Sequence, residues 1–137
     1  MSGAANTSGP GIRILIAEDN LINQKLVLQL LKRQGHHVDV AMNGEEAVEL
    51  FRRSPYPLVL MDAQMPEMDG YEATRRIRTR REGLPQPFII AMTAHAMQGA
   101  SEKCLAAGMN DYISKPIVFE MLAAALARGL PAFRSTG

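Results

Sequence analysis

The sequence predicts an α/β fold: a five-stranded parallel sheet with five helices covering both faces. Three observations carry this. Short apolar runs recur along the chain, Leu58-Val59-Leu60-Met61 being the clearest, and such runs read as strands buried on both sides. Segments with apolar residues at helical spacing stand between them. The links are short throughout, and strand–helix alternation of this kind implies right-handed crossovers into one parallel sheet. The 137 residues hold no internal repeat and no second domain, a length that suits a single core.

In order, Ile12 to Ala17 is the first predicted strand, and it runs out at Glu18-Asp19. Leu26 with Leu30, and Val27 with Leu31, are four residues apart and predict an amphipathic helix that Gly35 stops. Val38 to Met42 is a second, weaker strand. Asn43 followed by Glu46 has the spacing of a capping box and opens a helix with Ala47, Leu50 and Phe51 facing inward. The central strand, Leu58 to Asp62, follows Pro57 and leads into Ala63-Gln64-Met65-Pro66-Glu67-Met68-Asp69-Gly70. Asp69 with Glu72 repeats the capping logic for a helix with Ala73 and Ile77 inward and Gly83 as its end. Pro87 to Met92 is the fourth strand, ending at Thr93-Ala94-His95. A helix from about Met97 to Ala107 stops at Gly108. Asp111 to Ile113 is a short fifth strand leading to Ser114-Lys115-Pro116, and Phe119, Leu122, Ala123 and Leu126 make the last helical stripe before Gly129. Residues 1–11, rich in Ser, Gly, Ala and Asn, read as a flexible tail, 12–129 as the folded domain and 130–137 as a C-terminal tail.

The formal net charge is +1, from 15 basic and 14 acidic residues, which offers no bulk attraction to nucleic acid or to a membrane surface. The single cysteine, Cys104, excludes an internal disulfide and reads as a small apolar residue on a helix. No apolar run approaches the about 18 residues of a membrane span, and the N-terminus lacks the regions of a signal peptide. A cytoplasmic protein is expected.

The chemistry gathers at the ends of the strands. Ligands of open parallel sheets bind beyond the carboxyl ends of the strands, and there this chain has Glu18 and Asp19, Asp62, Thr93 and Lys115. Asp62 alone would say little, because Asp also caps turns. Three carboxylates together are different. At about 4 Å and an effective dielectric near 20, each like-charge pair costs roughly 4 kcal/mol, so the cluster calls for a cation. Hard oxygen donors with no Cys or His beside them favour Mg²⁺, which takes one or two carboxylates, waters and phosphate oxygens. Lys115 and the Thr93 hydroxyl suit an anion beyond the metal. Such a site is fit for a phosphoryl group, with one carboxylate free to act as nucleophile.

Ala17-Glu18-Asp19-Asn20, Leu60 to Gly70, Met92-Thr93-Ala94 and Ile113-Ser114-Lys115-Pro116, in this order and spacing, resemble the receiver domains of two-component response regulators over residues 12–129. The resemblance implies a flavodoxin-like receiver fold with Asp62 as phosphoacceptor. It implies Mg²⁺ held by Glu18, Asp19, Asp62 and the backbone carbonyl of Gln64, and phosphoryl oxygens bound by Thr93 and Lys115. Thr93 and Tyr112 would form the switch that reports phosphorylation to the surface, and Lys115-Pro116 would be a cis peptide. Asp19-Asn20-Leu21-Ile22-Asn23, Ala41 to Ala47 and Thr93-Ala94-His95-Ala96 most resemble receivers of hybrid sensor histidine kinases. The implied partner is a sensor histidine kinase or a histidine phosphotransfer domain. It would dock on Asn20, Leu21, Ile22 and Gln24 and on Pro116 and Ile117, with Ile22 and Ile117 as exposed apolar contacts. The cognate kinase, the output and the oligomeric state stay open.

Other features have plainer readings. Arg75, Arg76, Arg78, Arg80 and Arg81 read as a solvated helix face, since no aromatic residues interleave them. His36 and His37 sit in a loop and suggest no metal. Met61, Met65, Met68 and Met92 read as packing. His95, two residues past Thr93, either modulates access to the phosphoryl group or simply faces solvent. Two other functions compete with the signalling switch. A phosphatase of the haloacid-dehalogenase type needs a second Asp two residues after the nucleophile, where this chain has Gln64. A partner-binding pseudo-receiver usually lacks the acceptor Asp, the acidic pair or the Lys, and all of these are present.

Overall fold

Strand β3 (Leu58–Asp62) is buried along its whole length and lies at the centre of the molecule. With β1 (Arg13–Ala17), β2 (His37–Ala41), β4 (Phe88–Thr93) and β5 (Asp111–Ser114) it forms one parallel sheet in the order β2-β1-β3-β4-β5. The helices between and after the strands are α1 (Leu21–Arg33), α2 (Gly44–Arg53), α3 (Gly70–Arg80), α4 (Ala100–Ala107) and α5 (Phe119–Gly129). This computed structural model describes residues 11–94 and 99–129. The tails expected at either end, apart from Gly11, lie outside the described residues, as do His95, Ala96 and Met97. Among the described residues no helix is long and apolar enough to cross a membrane.

Side chains of a strand alternate between the two faces of the sheet, and here the alternation sorts the core into two layers. Ile14, Ile16, Leu58, Leu60, Ile90 and Met92 pack with Val27 and Leu31 of α1 and Leu122 and Leu126 of α5. Leu15, Val59, Met61, Ile89 and Ala91 pack with Ala47 and Phe51 of α2, Ala73 and Ile77 of α3 and Cys104 of α4. Burying a side chain of this size contributes about 1.5–3 kcal/mol, so the apolar runs legible in the sequence supply much of the driving force. Strand β2 is an edge strand, where His37 and Asp39 face solvent; its weaker sequence signal has that cause.

The caps predicted at Asn43 and Asp69 are found, and Asn20 is a third that the sequence did not single out. Asn20, Asn43 and Asp69 each accept a hydrogen bond from the backbone N–H three residues on, at 3.0, 2.8 and 2.9 Å. Glu46 reaches back, though its carboxylate accepts from Met42 N–H rather than from the cap residue itself. At the end of α1, Gly35 takes φ +87°, which lets His36 N–H reach Leu31 O and Gly35 N–H reach Lys32 O, a Schellman closure. Helix α4 begins at Ala100, three residues later than the expected start at about Met97, because Gly99 takes φ +83°, outside the helical region.

Some inward stripes are narrower than predicted. Leu26 and Phe119 are exposed, because α1 and α5 turn Val27, Leu30 and Leu31, and Leu122, Ala125 and Leu126, toward the sheet instead. Arg78 departs from the solvated-face reading: it is half-buried and donates to Gly108 O, Pro87 O and the Asn110 side chain, tying α3 to the links flanking β4 and β5. Arg75 and Arg76 pair on the surface with Glu72.

Helix α3 approaches the end of β3 at Gly70. A Cβ there would stand 2.1 Å from Asp62 O and 2.8 Å from Met61 Cγ, while Gly70 N–H donates to Ala63 O. Substituting Gly70→Ala should therefore lower stability by about 1–3 kcal/mol, the usual cost of overpacking, measured by urea unfolding. Gly70 is not among the glycines with positive φ, so the loss reports the clash and not backbone strain.

Candidate functional site

The β3–α3 turn and the strand ends bring the site together from residues far apart in sequence. Asp62 ends β3 and is 1% exposed; Glu18, just beyond β1, is fully buried; Thr93, the last residue of β4, is 1% exposed. Register places Thr93 opposite Ser114, and Lys115 N–H continues the ladder to Thr93 O. Lys115 thus emerges beside the acidic residues, and the peptide that follows it, Lys115-Pro116, is cis as expected.

The Lys115 ammonium donates to Asp62 Oδ2 at 2.9 Å and lies 3.3 Å from Glu18 Oε1. Asp62 Oδ1 accepts from Gln64 N–H at 3.0 Å, and Glu18 Oε2 accepts from Asn20 N–H at 3.0 Å. Glu18 Oε1 is buried and, although at ion-pair distance from Lys115, has no aligned hydrogen-bond donor. Carboxylate oxygens of Glu18, Asp19 and Asp62 all lie within 4.8 Å of one another. Asp19 is the exposed member of the three.

Burial pushes the Glu18 carboxyl up to about 7; the Asn20 N–H opposes the rise and the charge of Asp62 adds to it. Burial works against the Lys115 ammonium, yet hydrogen bonding to Asp62 and the charge of Asp62 and Glu18 outweigh it, so its pKa is raised. A crowded acidic cleft with an undersatisfied buried oxygen and hard oxygen donors fits a small divalent cation such as Mg²⁺.

The loop between β3 and α3 is tightly folded. Met68 N–H donates to Pro66 O at 2.8 Å, and Glu67 between them has φ +72°, a strained conformation for a non-glycine residue. Gln64 is exposed at the rim, two residues beyond Asp62. Tyr112 is half-buried against the α2–α4 layer. Tyr71 of α3 is a neighbour that the sequence did not single out. Burial raises its phenol pKa, the Cys104 charge adds to this, and a hydrogen bond with Thr93 opposes it. Cys104 is buried and its pKa is raised by burial, in keeping with an inert packing residue. His36 Nδ1 accepts from Ile12 N–H, a structural use.

The expected docking residues divide. Asn20, Leu21, Ile22 and Pro116 are exposed, Leu21 by 61% and Ile22 by 76%. Ile117 is not an exposed contact: it is 5% exposed, packed with the α1–α5 layer. Gln24 is also buried; its amide donates to Glu18 O and contacts Met42 Sδ. The sequence carried a signal for this. Gln24 stands three and seven residues before Val27 and Leu31 and so shares their inward face.

Residues 14–127 match the response regulator receiver domain family. Hybrid signal transduction histidine kinase B of Dictyostelium discoideum is 44% identical over 126 residues, covering 85% of this chain and 6% of that protein. The signal transduction histidine-protein kinase BarA of Escherichia coli K12 is 43% identical over 118 residues, 86% of this chain and 13% of that protein. Among solved structures, the receiver domain of sensor histidine kinase PA1611 from Pseudomonas aeruginosa PAO1, which holds a magnesium ion in its active-site cleft, is 42% identical with a TM-score of 0.77. It covers 88% of this chain and 98% of its own. The receiver domain of Saccharomyces cerevisiae Ssk1, solved with the histidine phosphotransfer protein Ypd1, is 32% identical with a TM-score of 0.83 over 90% of this chain and 91% of its own. The chain belongs to the response regulator receiver domain family, and it is like the receivers of hybrid histidine kinases. It spans 6% to 15% of the length of the curated relatives.

The raised Glu18 pKa fixes the sign of a pH effect. Between the ordinary carboxyl value of 4.5 and about 7 the folded, metal-free protein holds a proton that the unfolded chain has lost. The associated stability is present below the lower value and is lost as pH rises through the upper one. In EDTA, unfolding free energy should fall by up to roughly 3 kcal/mol across that window relative to Glu18→Gln. Denaturant melts of both proteins at a series of pH values measure the difference.

Proposed function

We propose that this receiver accepts a phosphoryl group on Asp62 from a phosphohistidine of a sensor histidine kinase or histidine phosphotransfer domain, and so acts in a two-component phosphorelay. The observation that carries the reading is the Asp62 carboxylate, buried at the end of the central strand and held between Gln64 N–H and the Lys115 ammonium. A carboxylate oxygen of Asp62 attacks phosphorus, the P–O bond forms as the P–N bond to the donor imidazole breaks, and the departing nitrogen keeps the electron pair. Glu18, Asp19, Asp62 and the Gln64 carbonyl would hold Mg²⁺, whose charge offsets repulsion between Asp62 and the incoming oxygens. Lys115 balances the charge of the acyl phosphate and Thr93 donates its hydroxyl to a phosphoryl oxygen.

The protein in this reading is a phosphoacceptor that stores a signal and not a turnover enzyme. Gln64 can hydrogen-bond a water but cannot take its proton, which favours a lasting phosphoaspartate; His95, the other residue placed to act on that water as a base or to block it, lies outside the described residues. Movement of Thr93 toward the new dianion opens space for Tyr112 to turn inward, altering the surface made by α4, β5 and α5. The receiver unit is residues 12–129. It acts in the cytoplasm beside its phosphodonor, with no direct contact to nucleic acid or membrane; surface pairing of Arg75 and Arg76 with Glu72 supports the former.

The docking surface is Asn20, Leu21, Ile22 and Pro116. Leu21 and Ile22, apolar yet exposed at the start of α1 beside the acidic cleft, suit the apolar face of a four-helix phosphotransfer or dimerisation domain.

Incubation with acetyl phosphate and Mg²⁺ should add one phosphoryl group to the intact chain, as read by mass spectrometry, and none to Asp62→Asn. Equal labelling of that variant at another residue would remove Asp62 from its role, and slow decay after donor removal is expected of a stored signal. In a second experiment, Ile22→Asp should slow phosphorylation by a protein donor about tenfold or more, the scale of losing an interface anchor, with acetyl phosphate labelling unchanged. Equal loss with both donors would make Ile22 a structural residue.

A further inference from the structure

We infer that Gln24 is a positioning residue for the metal site: its buried side-chain amide holds the peptide plane between Glu18 and Asp19 and thereby aims both carboxylates. The inference rests on the reading of those residues as metal ligands. It concerns a side chain that the sequence pointed outward, to a partner, and that the fold turns inward.

Three successive peptide planes carry the acidic pair, and each is held by one named bond. The plane entering Glu18 is held by its N–H, which donates to Ala41 O of β2 at 3.0 Å. The plane leaving Asp19 is held by Asn20 N–H, which donates to Glu18 Oε2 at 3.0 Å. The plane between the two acids is held by Gln24, whose Nε2 donates to Glu18 O at 2.5 Å. The same nitrogen lies 3.0 Å from Met42 Sδ, just past the end of β2, so the amide is itself fixed from the strand side. Gln24 is 9% exposed, and its own backbone is tied into the first turn of α1 by donation to Asn20 O at 3.0 Å.

This middle plane matters because it sets ψ of Glu18 and φ of Asp19 together. The Glu18 side chain is fully buried and packing restrains it, but Asp19 is exposed and gains no such restraint. Its direction follows from the main chain. If the plane turns, the Asp19 carboxylate swings away from Glu18 and Asp62, with which it now lies within 4.8 Å. Partners behind metal ligands orient them, and losing one commonly costs roughly 10–100-fold in metal affinity or activity.

The test is direct Mn²⁺ and Mg²⁺ binding to the folded chain, by EPR and by titration calorimetry, for wild type, Gln24→Met, Met42→Leu and Leu30→Ala. Gln24→Met keeps the length and removes the donor. Met42→Leu removes only the sulfur contact, and Leu30→Ala weakens the packing of α1 without touching Glu18. Expected is a dissociation constant about tenfold weaker in Gln24→Met and near wild type in Met42→Leu and Leu30→Ala, with the acetyl phosphate labelling rate at saturating Mg²⁺ unchanged in Leu30→Ala. A readout in wild type needs no variant: the Gln24 side-chain NH₂ resonances should shift during the metal titration and report the same dissociation constant. Unchanged affinity in Gln24→Met, equal weakening in Leu30→Ala, or Gln24 resonances blind to the metal would overturn the inference while leaving the receiver reading intact. Failure of wild type to bind either metal would overturn the reading of the site, and the inference with it.

Discussion

The Lys115 ammonium, held between the buried carboxylates of Asp62 and Glu18, is the interaction on which the carboxyl edge of this sheet depends. A buried ion pair is weak evidence for stability by itself, because desolvation offsets most of the attraction, but removing one member leaves a charge stranded in the interior. Here two carboxylates share one cation, so the balance is incomplete by design of the cluster. Burial lifts the Glu18 carboxyl and the charge of Asp62 adds to it, while one Glu18 oxygen has no aligned donor. Three carboxylates gathered around one ammonium leave the edge rich in negative charge.

The rest of the fold serves to hold that imbalance still. The fully buried central strand cannot shift without disturbing both core layers, so Asp62 is delivered to a fixed point. Gly70 lets α3 close against Asp62 O, and the strained turn at Glu67 shapes the loop between them. On the other side α1 presents two faces with different duties. Leu21 and Ile22 point to solvent, while Gln24, Val27 and Leu31 point inward. One helix thus joins an exposed apolar surface to the acidic pair through a few residues of its first two turns.

Much of this was legible beforehand. Uninterrupted apolar runs could hardly be anything but buried strands, and the cap residues Asn43 and Asp69 announced their helices through side chains that bond the local backbone. The residues Glu18, Asp62, Thr93 and Lys115 belong together because parallel topology sends the carboxyl end of every strand to one edge. What misled was the reading of surfaces. Ile117 looked like an exposed loop residue, yet it is buried in the same apolar layer as Ile113 and Leu122. Arg78 looked like one charge in a solvated row, yet its guanidinium meets carbonyls of two loops that are distant in sequence. Leu26 and Phe119 looked inward and are not.

The division follows from the range of the forces. Periodicity, capping and turn chemistry act within a few residues, so the sequence alone determined the elements, their order, the parallel sheet and the residues at its carboxyl edge. Distances between those residues, the sharing of Lys115 by Glu18 and Asp62, the burial of Ile117 and the approach of α3 at Gly70 depend on how separate elements pack. Only the tertiary structure decided them, because each arises where side chains from two or three distant segments compete for the same volume and the same hydrogen-bond partners.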